Sequence, residues 1–407
     1  MKVFEINGSV FGSTGKIMFG IADLLEKHGC EVLCAAPVTK TNRKKQLARS
    51  YIRIGNYFTH IITVLTARLS SRIFLGAYFS TRVLIKKISK FSPDILHLHN
   101  LHGDYINFPL LFRYIRKNNI KTVWTLHDCW SFTGHCPHYI IAGCDKWKTG
   151  CYKCKCYRKY PASLFDDSKR MYKLKKQWFC DTDNLILVTP SLWLKKQLEK
   201  SFLDKVPVKV INNGIDLAVF HPSKSNFRKK YGVSDSEIMI LGVAFDWGYK
   251  KGLDVFIELS KQLTEKYRIV LVGTNDALDS NLPEGIITIR RTHDQNELAQ
   301  IYSSADVFVN PTREDNYPTV NLEAIACGTP VITFNTGGAA EMINENCGRI
   351  IRNNDLNGLV DAIRSVKKKS PDAVSHCVQT ALSFDETIKY QQYEEIYGLW
   401  EKSAEKN

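Results

Sequence analysis

Long apolar runs are missing from this chain. A membrane-spanning helix takes about 20 consecutive apolar residues, and the uncharged stretch at residues 54–67 stops at fourteen. No signal-peptide pattern opens the sequence: Met1-Lys-Val-Phe-Glu-Ile6 reads directly as a strand, with neither a long apolar region nor a cleavage site behind it, so a cytoplasmic location is expected. Internal repeats and low-complexity segments are also absent, which excludes repeat arrays and long disordered linkers. Acidic residues are scarce in one half only. Residues 1–210 hold 14 Asp and Glu against 35 Lys and Arg, a net +21, whereas residues 211–407 hold 27 against 21, a net −6. Two halves with different partners are implied, and 407 residues suit two domains of about 200 each.

The second half carries the clearest pattern. Residues 238–244 and 267–273 read as buried strands, residues 252–264 and 295–304 as helices, and Asp306-Val-Phe-Val-Asn310 as a further strand. This βαβ alternation indicates a parallel sheet with right-handed crossovers. After Asn310 comes Pro-Thr-Arg-Glu-Asp-Asn-Tyr-Pro-Thr-Val-Asn-Leu-Glu-Ala-Ile-Ala-Cys-Gly328, a loop and a short helix with inward Leu322, Ala324, Ile325 and Ala326. It places Asp315 eight residues before Glu323 at a strand-to-helix junction. In open α/β sheets ligands sit beyond the carboxyl ends of strands, where helix-start amides meet phosphate and acidic side chains accept from sugar hydroxyls. Two acids plus free amides therefore suit a sugar nucleotide.

Pro311, Thr312, Glu323, Ala324, Gly328, Thr329 and Pro330 resemble the signature of glycosyltransferase family 4, retaining enzymes of the GT-B fold. Asp315 replaces the first Glu of that signature, and Asn316-Tyr317-Pro318 replaces Gly-x-Gly. The variant is similar to a branch that includes colanic acid and other exopolysaccharide transferases, which shares Trp124-Thr-Leu-His-Asp128 and a downstream cysteine cluster. The resemblance implies a GT-B fold, with two Rossmann-like domains facing across a cleft. The boundaries expected are 1–212, 213–384 and a final helix, 385–407, crossing back onto the first domain through Ile388, Tyr393, Ile396, Tyr397 and Trp400. It further implies a nucleoside diphosphate sugar donor of the UDP or GDP type. Glu323 would accept from the ribose, while Asp315 and the amides of Asn316 and Tyr317 would meet the sugar and phosphate. Lys251, in the family's Lys-Gly pair with Gly252, would offset charge on the leaving diphosphate. The family's preceding Gly-Arg is missing, and Lys250 and Arg313 are the candidates to replace it.

In the first half the loop at residues 7–16 leads from the first strand to a helix at 17–28. Gly12 and Gly15 would let the backbone approach the donor phosphates. A P-loop is excluded, because its spacing needs Gly at 10 and Ser or Thr at 17, where Val10 and Ile17 stand. His127 and Asp128 follow the strand at 122–126. The resemblance places His127 beside the transferred sugar, with Asp128 orienting it or the acceptor hydroxyl, and His99 ranks second. Twelve cysteines in a reducing compartment are not expected to pair. Cys136, Cys144, Cys151 and Cys154 instead suggest a structural zinc, with His135 and His138 as alternative ligands. No Asp-x-Asp motif is placed to hold a catalytic Mg²⁺. Between residues 43 and 90 basic side chains, among them Arg43, Lys44, Lys45, Arg68, Arg72, Arg82, Lys86, Lys87 and Lys90, interleave with aromatics and aliphatics. That pattern suits an amphipathic segment on an anionic leaflet, where a lipid-linked glycan acceptor would be met.

These observations together favour a peripheral transferase at the inner face of the membrane, acting in bacterial cell-surface or exopolysaccharide biosynthesis. A zinc-stabilised nucleic-acid binder is the alternative from another class. It lacks a recognition module and leaves the acidic second half unexplained, so no nucleic-acid partner is expected. A sugar-nucleotide epimerase of the same fold is the enzyme alternative.

Overall fold

The computed structural model describes residues 1–43, 49–70 and 75–404; Lys44, Lys45 and Arg72 of the basic segment lie outside them, as does the side chain of Trp400. The chain divides into two compact units, Met1–Asn212 joined by the C-terminal segment from Lys389, and Asn213–Ile388.

The first unit is built on strands β1 (Lys2–Ile6), β2 (Glu31–Pro37), β3 (Ile52–Ile54), β4 (Ile95–Leu98), β5 (Thr122–Thr125), β6 (Leu185–Thr189) and β7 (Val208–Val210). They form one parallel sheet in the order β3-β2-β1-β4-β5-β6-β7. Its central strands, β4 and β5, are buried at every residue, because helices cover both faces of a parallel sheet. The second unit holds β8 (Ile238–Val243), β9 (Tyr267–Val272), β10 (Ile287–Ile289), β11 (Val307–Asn310), β12 (Val331–Phe334) and β13 (Gly348–Ile351), parallel in the order β10-β9-β8-β11-β12-β13. The strand order reverses between β1 and β4 in one sheet and between β8 and β11 in the other. Crossovers leave these points in opposite directions, so each opens a crevice at its strands' carboxyl ends.

Two expectations change. The first helix begins at Gly12 and runs to Lys27, five residues earlier than the apolar spacing suggests. Gly15 therefore sits inside it, where an added Cβ would overlap the backbone of Val10, so this glycine serves close packing of the helix on its own entry loop. Gly12 opens the helix at φ +71°, a left-handed conformation that glycine adopts without strain. In the last helix, Glu386–Ala404, Tyr390, Tyr393, Ile396 and Tyr397 are buried against Ile17, Ile21 and Leu25 of the first unit, whereas Ile388 is 48% exposed and off the buried stripe.

Candidate functional site

At the β8/β11 crossover Lys251 Nζ lies 2.6 Å from Asp315 Oδ2. Two glycines bring them there. Gly252, at φ +74°, starts the helix Leu253–Gln262 so close to Pro311 that any Cβ would overlap the proline carbonyl. Gly337, at φ +55°, lies in the loop after β12 with no room for a Cβ against the Asp315 carbonyl, and the Gly338 N–H donates to the Asn316 carbonyl at 3.0 Å. Below this turn buried Asn310 donates to Asn321 Oδ1 at 2.8 Å, and Asn321 donates on to the Ala339 carbonyl at 3.0 Å. Asn316 and Tyr317 are buried in the same turn, just ahead of the helix Thr319–Ala326, so their backbones stand at its N-terminal end.

Arg313, one candidate for the missing phosphate-binding arginine, is engaged by protein partners. Its guanidinium makes paired 2.7 Å bonds to both Asp254 carboxylate oxygens, donates to the Tyr249 carbonyl at 2.7 Å and to Asn354 Oδ1 at 2.6 Å, and stacks over the Tyr249 ring. Such a two-pronged clamp is spent on holding the Lys251 turn to the β11 loop. Lys250 contributes to the same clasp through its carbonyl, which accepts from Arg313 N–H at 2.9 Å.

Glu323 stands on the helix Thr319–Ala326, half-buried, and its Oε2 accepts a 2.9 Å hydrogen bond from the Tyr302 hydroxyl. Tyr302 is fully buried, and burial together with the Glu323 charge pushes its phenol well up, so it remains a donor. Sequence reading missed Tyr302. An aromatic at helical spacing reads as core, and only the fold shows its hydroxyl beneath a site carboxylate.

In the first unit a column of histidines runs below the β1/β4 crossover. His97 Nδ1 is 2.8 Å from the Tyr397 hydroxyl and Nε2 is 2.8 Å from Thr125 Oγ1, which itself donates to the Tyr393 hydroxyl at 3.2 Å. Thr125 must then accept from His97 Nε2–H, which leaves Nδ1 to accept from Tyr397. His99 Nε2 is 3.3 Å from Glu5 Oε2, and Nδ1 is 3.3 Å from His127 Nε2. Burial pushes the Glu5 carboxyl well up, and in its protonated form the O–H would donate to His99 Nε2. In that form His99 would donate from Nδ1 to His127 Nε2. Glu5, His97 and His99 place ligand-type atoms within 4.8 Å of one another. Each of those histidine nitrogens already has a protein partner, while Glu5 Oε1 is buried without one. Asp128 accepts from His102 Nε2 at 2.6 Å and from the Trp130 amide at 2.8 Å; burial raises its carboxyl, but the His102 charge outweighs this and keeps it ionised.

None of the twelve cysteines, all among the described residues, is joined in a disulfide. Cys136, Cys144 and Cys154 line one cavity of about 130 Å³ together with Cys156, while Cys151 Sγ accepts the Gly134 N–H at 3.1 Å. A hydrogen bond from Cys136 draws the Cys154 thiol down to about 7. The residues suit zinc in type and number. Among the described residues, however, their sulfurs do not converge as the Glu5, His97 and His99 atoms do. Buried Lys175 anchors the loop, donating to the carbonyls of Trp130 at 2.6 Å and Thr133 at 3.0 Å.

Residues 15–219 match the family model described as Glycosyltransferase Family 4, and residues 236–368 match that described as Glycosyl transferases group 1. The chain belongs to Glycosyltransferase Family 4. It is 26% identical over 277 residues to WcaC of Escherichia coli K12, a protein named for colanic acid biosynthesis, with 66% of each chain covered. It is 27% identical over 184 residues to an Escherichia coli UDP-Gal:alpha-D-GlcNAc-diphosphoundecaprenol alpha-1,3-galactosyltransferase, covering 41% of this chain and 46% of that one. These matches span about half to two thirds of the relatives' own lengths. Solved structures share the fold along the whole chain. Sucrose-phosphate synthase from Thermosynechococcus elongatus superposes with a TM-score of 0.73 at 17% identity, covering 99% of this chain and all of that one. Anabaena HepE in complex with UDP-glucose gives 0.64 at 13%, covering 97% and 99%. The family member described here is thus a GT-B protein.

The histidine column makes a prediction about acid stability. Burial holds His127 down to about 4, with the charge of Asp128 opposing and that of His102 assisting, against about 6.5 when unfolded. The unfolded chain therefore takes up the proton first as pH falls. The stability that His127 contributes is complete above about pH 6.5 and declines toward pH 4, by about 1 kcal/mol per unit. Urea melts of the wild type and His127→Asn should show their difference shrinking over that window; a difference independent of pH would contradict the assignment.

Proposed function

We propose that this protein transfers a sugar, with retention of configuration, from a nucleoside diphosphate sugar to a lipid-linked glycan. The observation that carries the reading is the Lys251–Asp315 pair at the β8/β11 crossover, with Glu323 about one turn into the following helix. Lys251 supplies positive charge for the departing diphosphate, Asp315 accepts from sugar hydroxyls, and Glu323, steadied by Tyr302, accepts from the ribose. In a front-face displacement the acceptor oxygen bonds to the anomeric carbon as its bond to the diphosphate breaks. The acceptor proton leaves with the diphosphate oxygen, so charge stabilisation matters more than a strong base. Relatives named for diphosphoundecaprenol acceptors support the lipid-linked half of the reading.

A membrane surface is the second part of the proposal. The helices Tyr57–Ser70 and Tyr78–Phe91 turn Phe58, Ile62, Leu65, Leu69, Phe79 and Val83 outward, between 44% and 77% exposed. Arg82, Lys86, Lys87 and Lys90 lie on the second of these helices. Apolar side chains flanked by cations suit the surface of an anionic leaflet. No described helix is long and apolar enough to cross a membrane.

Two experiments test this reading. UDP or GDP should raise the melting temperature of the wild type, and Glu323→Ala should abolish that rise while the unliganded protein melts within a few degrees of wild type; a rise kept in the variant would remove Glu323 from the site. In sedimentation at low salt the protein should pellet with phosphatidylglycerol vesicles and not with phosphatidylcholine, and Phe58→Asp with Leu65→Asp should release it. Equal partition to both vesicles would leave a soluble acceptor as the reading.

A further inference from the structure

Glu5 lies inside the first sheet, on β1, with Cys34 of β2 and His97 of β4 as its register partners, and none of its surface is exposed. Register partners in a parallel sheet present their side chains on one face. On this face the last helix brings the rings of Tyr393 and Tyr397 against His97. Glu5 Oε2 is 3.3 Å from His99 Nε2, while Oε1 is buried with no partner. A buried acceptor left unpaired destabilises a fold, so an apolar side chain of the same length would serve this core better.

Glu5 is nevertheless connected to the crevice. His99 stands one residue beyond β4 and His127 two beyond β5, at the carboxyl ends of those strands. His99 is 1% exposed and His127 is half-buried. His99 Nδ1 lies 3.3 Å from His127 Nε2, and the two ring planes are 13° apart with centres 5.6 Å apart, which suits a proton held edge to edge between two nitrogens. A neutral imidazole carries one proton, so these contacts have a direction. With a proton on Glu5, its O–H donates to His99 Nε2, His99 donates from Nδ1 to His127 Nε2, and the His127 proton must sit on Nδ1. With Glu5 ionised both bonds reverse, and His127 Nδ1 is left bare. One carboxyl proton thus decides, through two rings, whether His127 Nδ1 is a donor or an acceptor. Burial favours that proton, with Arg49 opposing and Asp23 assisting, while Cys34, Tyr393 and Tyr397 nearby are pushed up by burial and stay neutral. Burial holds His97, His99 and His127 down, with Asp128 opposing and His102 assisting at His127.

We propose that Glu5 is a positioning residue for sugar transfer, fixing through His99 the tautomer of His127 so that this half-buried imidazole offers an N–H at Nδ1 to a hydroxyl of the transferred sugar. The proposal rests on the transferase reading above and adds to it a residue that touches no substrate.

Two replacements separate this role from a structural one. Glu5→Gln keeps a donor for His99 Nε2 and cannot ionise, whereas Glu5→Met fills the same space without a donor. Long-range proton–nitrogen NMR of the full chain carrying nitrogen-15 histidine reads the tautomers, with the His127 signals assigned by their loss in His127→Asn. Wild type and Glu5→Gln should hold the His127 proton on Nδ1, and Glu5→Met should show both tautomers. Having lost an unpaired acceptor, Glu5→Met should melt no lower than wild type. In hydrolysis of UDP-glucose, UDP-galactose or GDP-mannose, whichever the wild type accepts, Glu5→Met should lose at least about tenfold in kcat with KM within about twofold, and Glu5→Gln should stay near wild type. His99→Phe, which breaks the same line one link later, should match Glu5→Met in tautomer and kcat. A wild-type proton on Nε2, an unchanged tautomer or kcat in Glu5→Met, a Glu5→Gln that fails as Glu5→Met does, or a Glu5→Met that melts well below wild type would each overturn the proposal. A wild type that hydrolyses none of these donors while the tautomer pattern holds would count against the transferase reading and for the link from Glu5 to His127.

Discussion

The second unit is arranged around one ion pair. Lys251 and Asp315 come from opposite sides of the β8/β11 crossover, and they meet at 2.6 Å because the chain places glycine where any side chain would push them apart. Both partners keep 20–29% of their side-chain surface exposed. A pair so hydrated adds at most about 1 kcal/mol to stability. Its significance is positional: an ammonium and a carboxylate fixed side by side at a helix start can meet a diphosphate and a sugar hydroxyl together. Arg313 performs the structural task beneath it, clasping Asp254, Tyr249 and Asn354 so that the Lys251 turn cannot drift from the β11 loop. The Arg313 guanidinium is thereby engaged by protein partners, whereas Lys251 Nζ has Asp315 beside it.

The first unit solves a different problem. Three histidines and a glutamic acid lie under its crossover, burial pushing the carboxyl up and the imidazoles down, and hydrogen bonds connect Glu5 through His99 to His127. Tyr393 and Tyr397 of the last helix complete the second column through Thr125 and His97. A buried polar network is costly unless every member is paired. The C-terminal segment, packing on the first helix, supplies hydroxyls that pair His97 and Thr125, whereas Glu5 Oε1 stays buried without a partner.

How much of this the sequence carried differs from place to place. The β11 strand, its loop and the helix to Gly328 were legible because apolar run, turn residues and helical stripe follow one another without overlap, and Asp315 and Glu323 stand where the spacing put them. Gly15 was misread because a glycine that meets ligand and one that meets its own backbone look alike in sequence; only the clash with Val10 separates them. Arg313 and Tyr302 were opaque for a related reason, since their partners, Asp254 and Glu323, lie 59 and 21 residues away. The two faces of the helix Tyr57–Ser70 were hidden behind the basic character of its segment. Charge drew attention to Arg68, while the outward Phe58 and Leu65 and the inward His60 become distinct only once the helix has a direction.

The account's central claim is that Lys251 serves the diphosphate while Asp315 serves the sugar, and a two-by-two set of variants tests it most directly. Calorimetric titration of UDP, or of GDP if that is the nucleotide that stabilises the protein, would be run on wild type, Lys251→Met, Asp315→Asn and the double variant. Lys251→Met should lose at least tenfold in affinity for the bare nucleotide. Asp315→Asn should retain that affinity or gain, because the lysine is released and a negative charge removed, while hydrolysis of the matching nucleotide sugar falls at least a hundredfold. Asp315→Asn losing nucleotide binding as fully as Lys251→Met would contradict the division of roles.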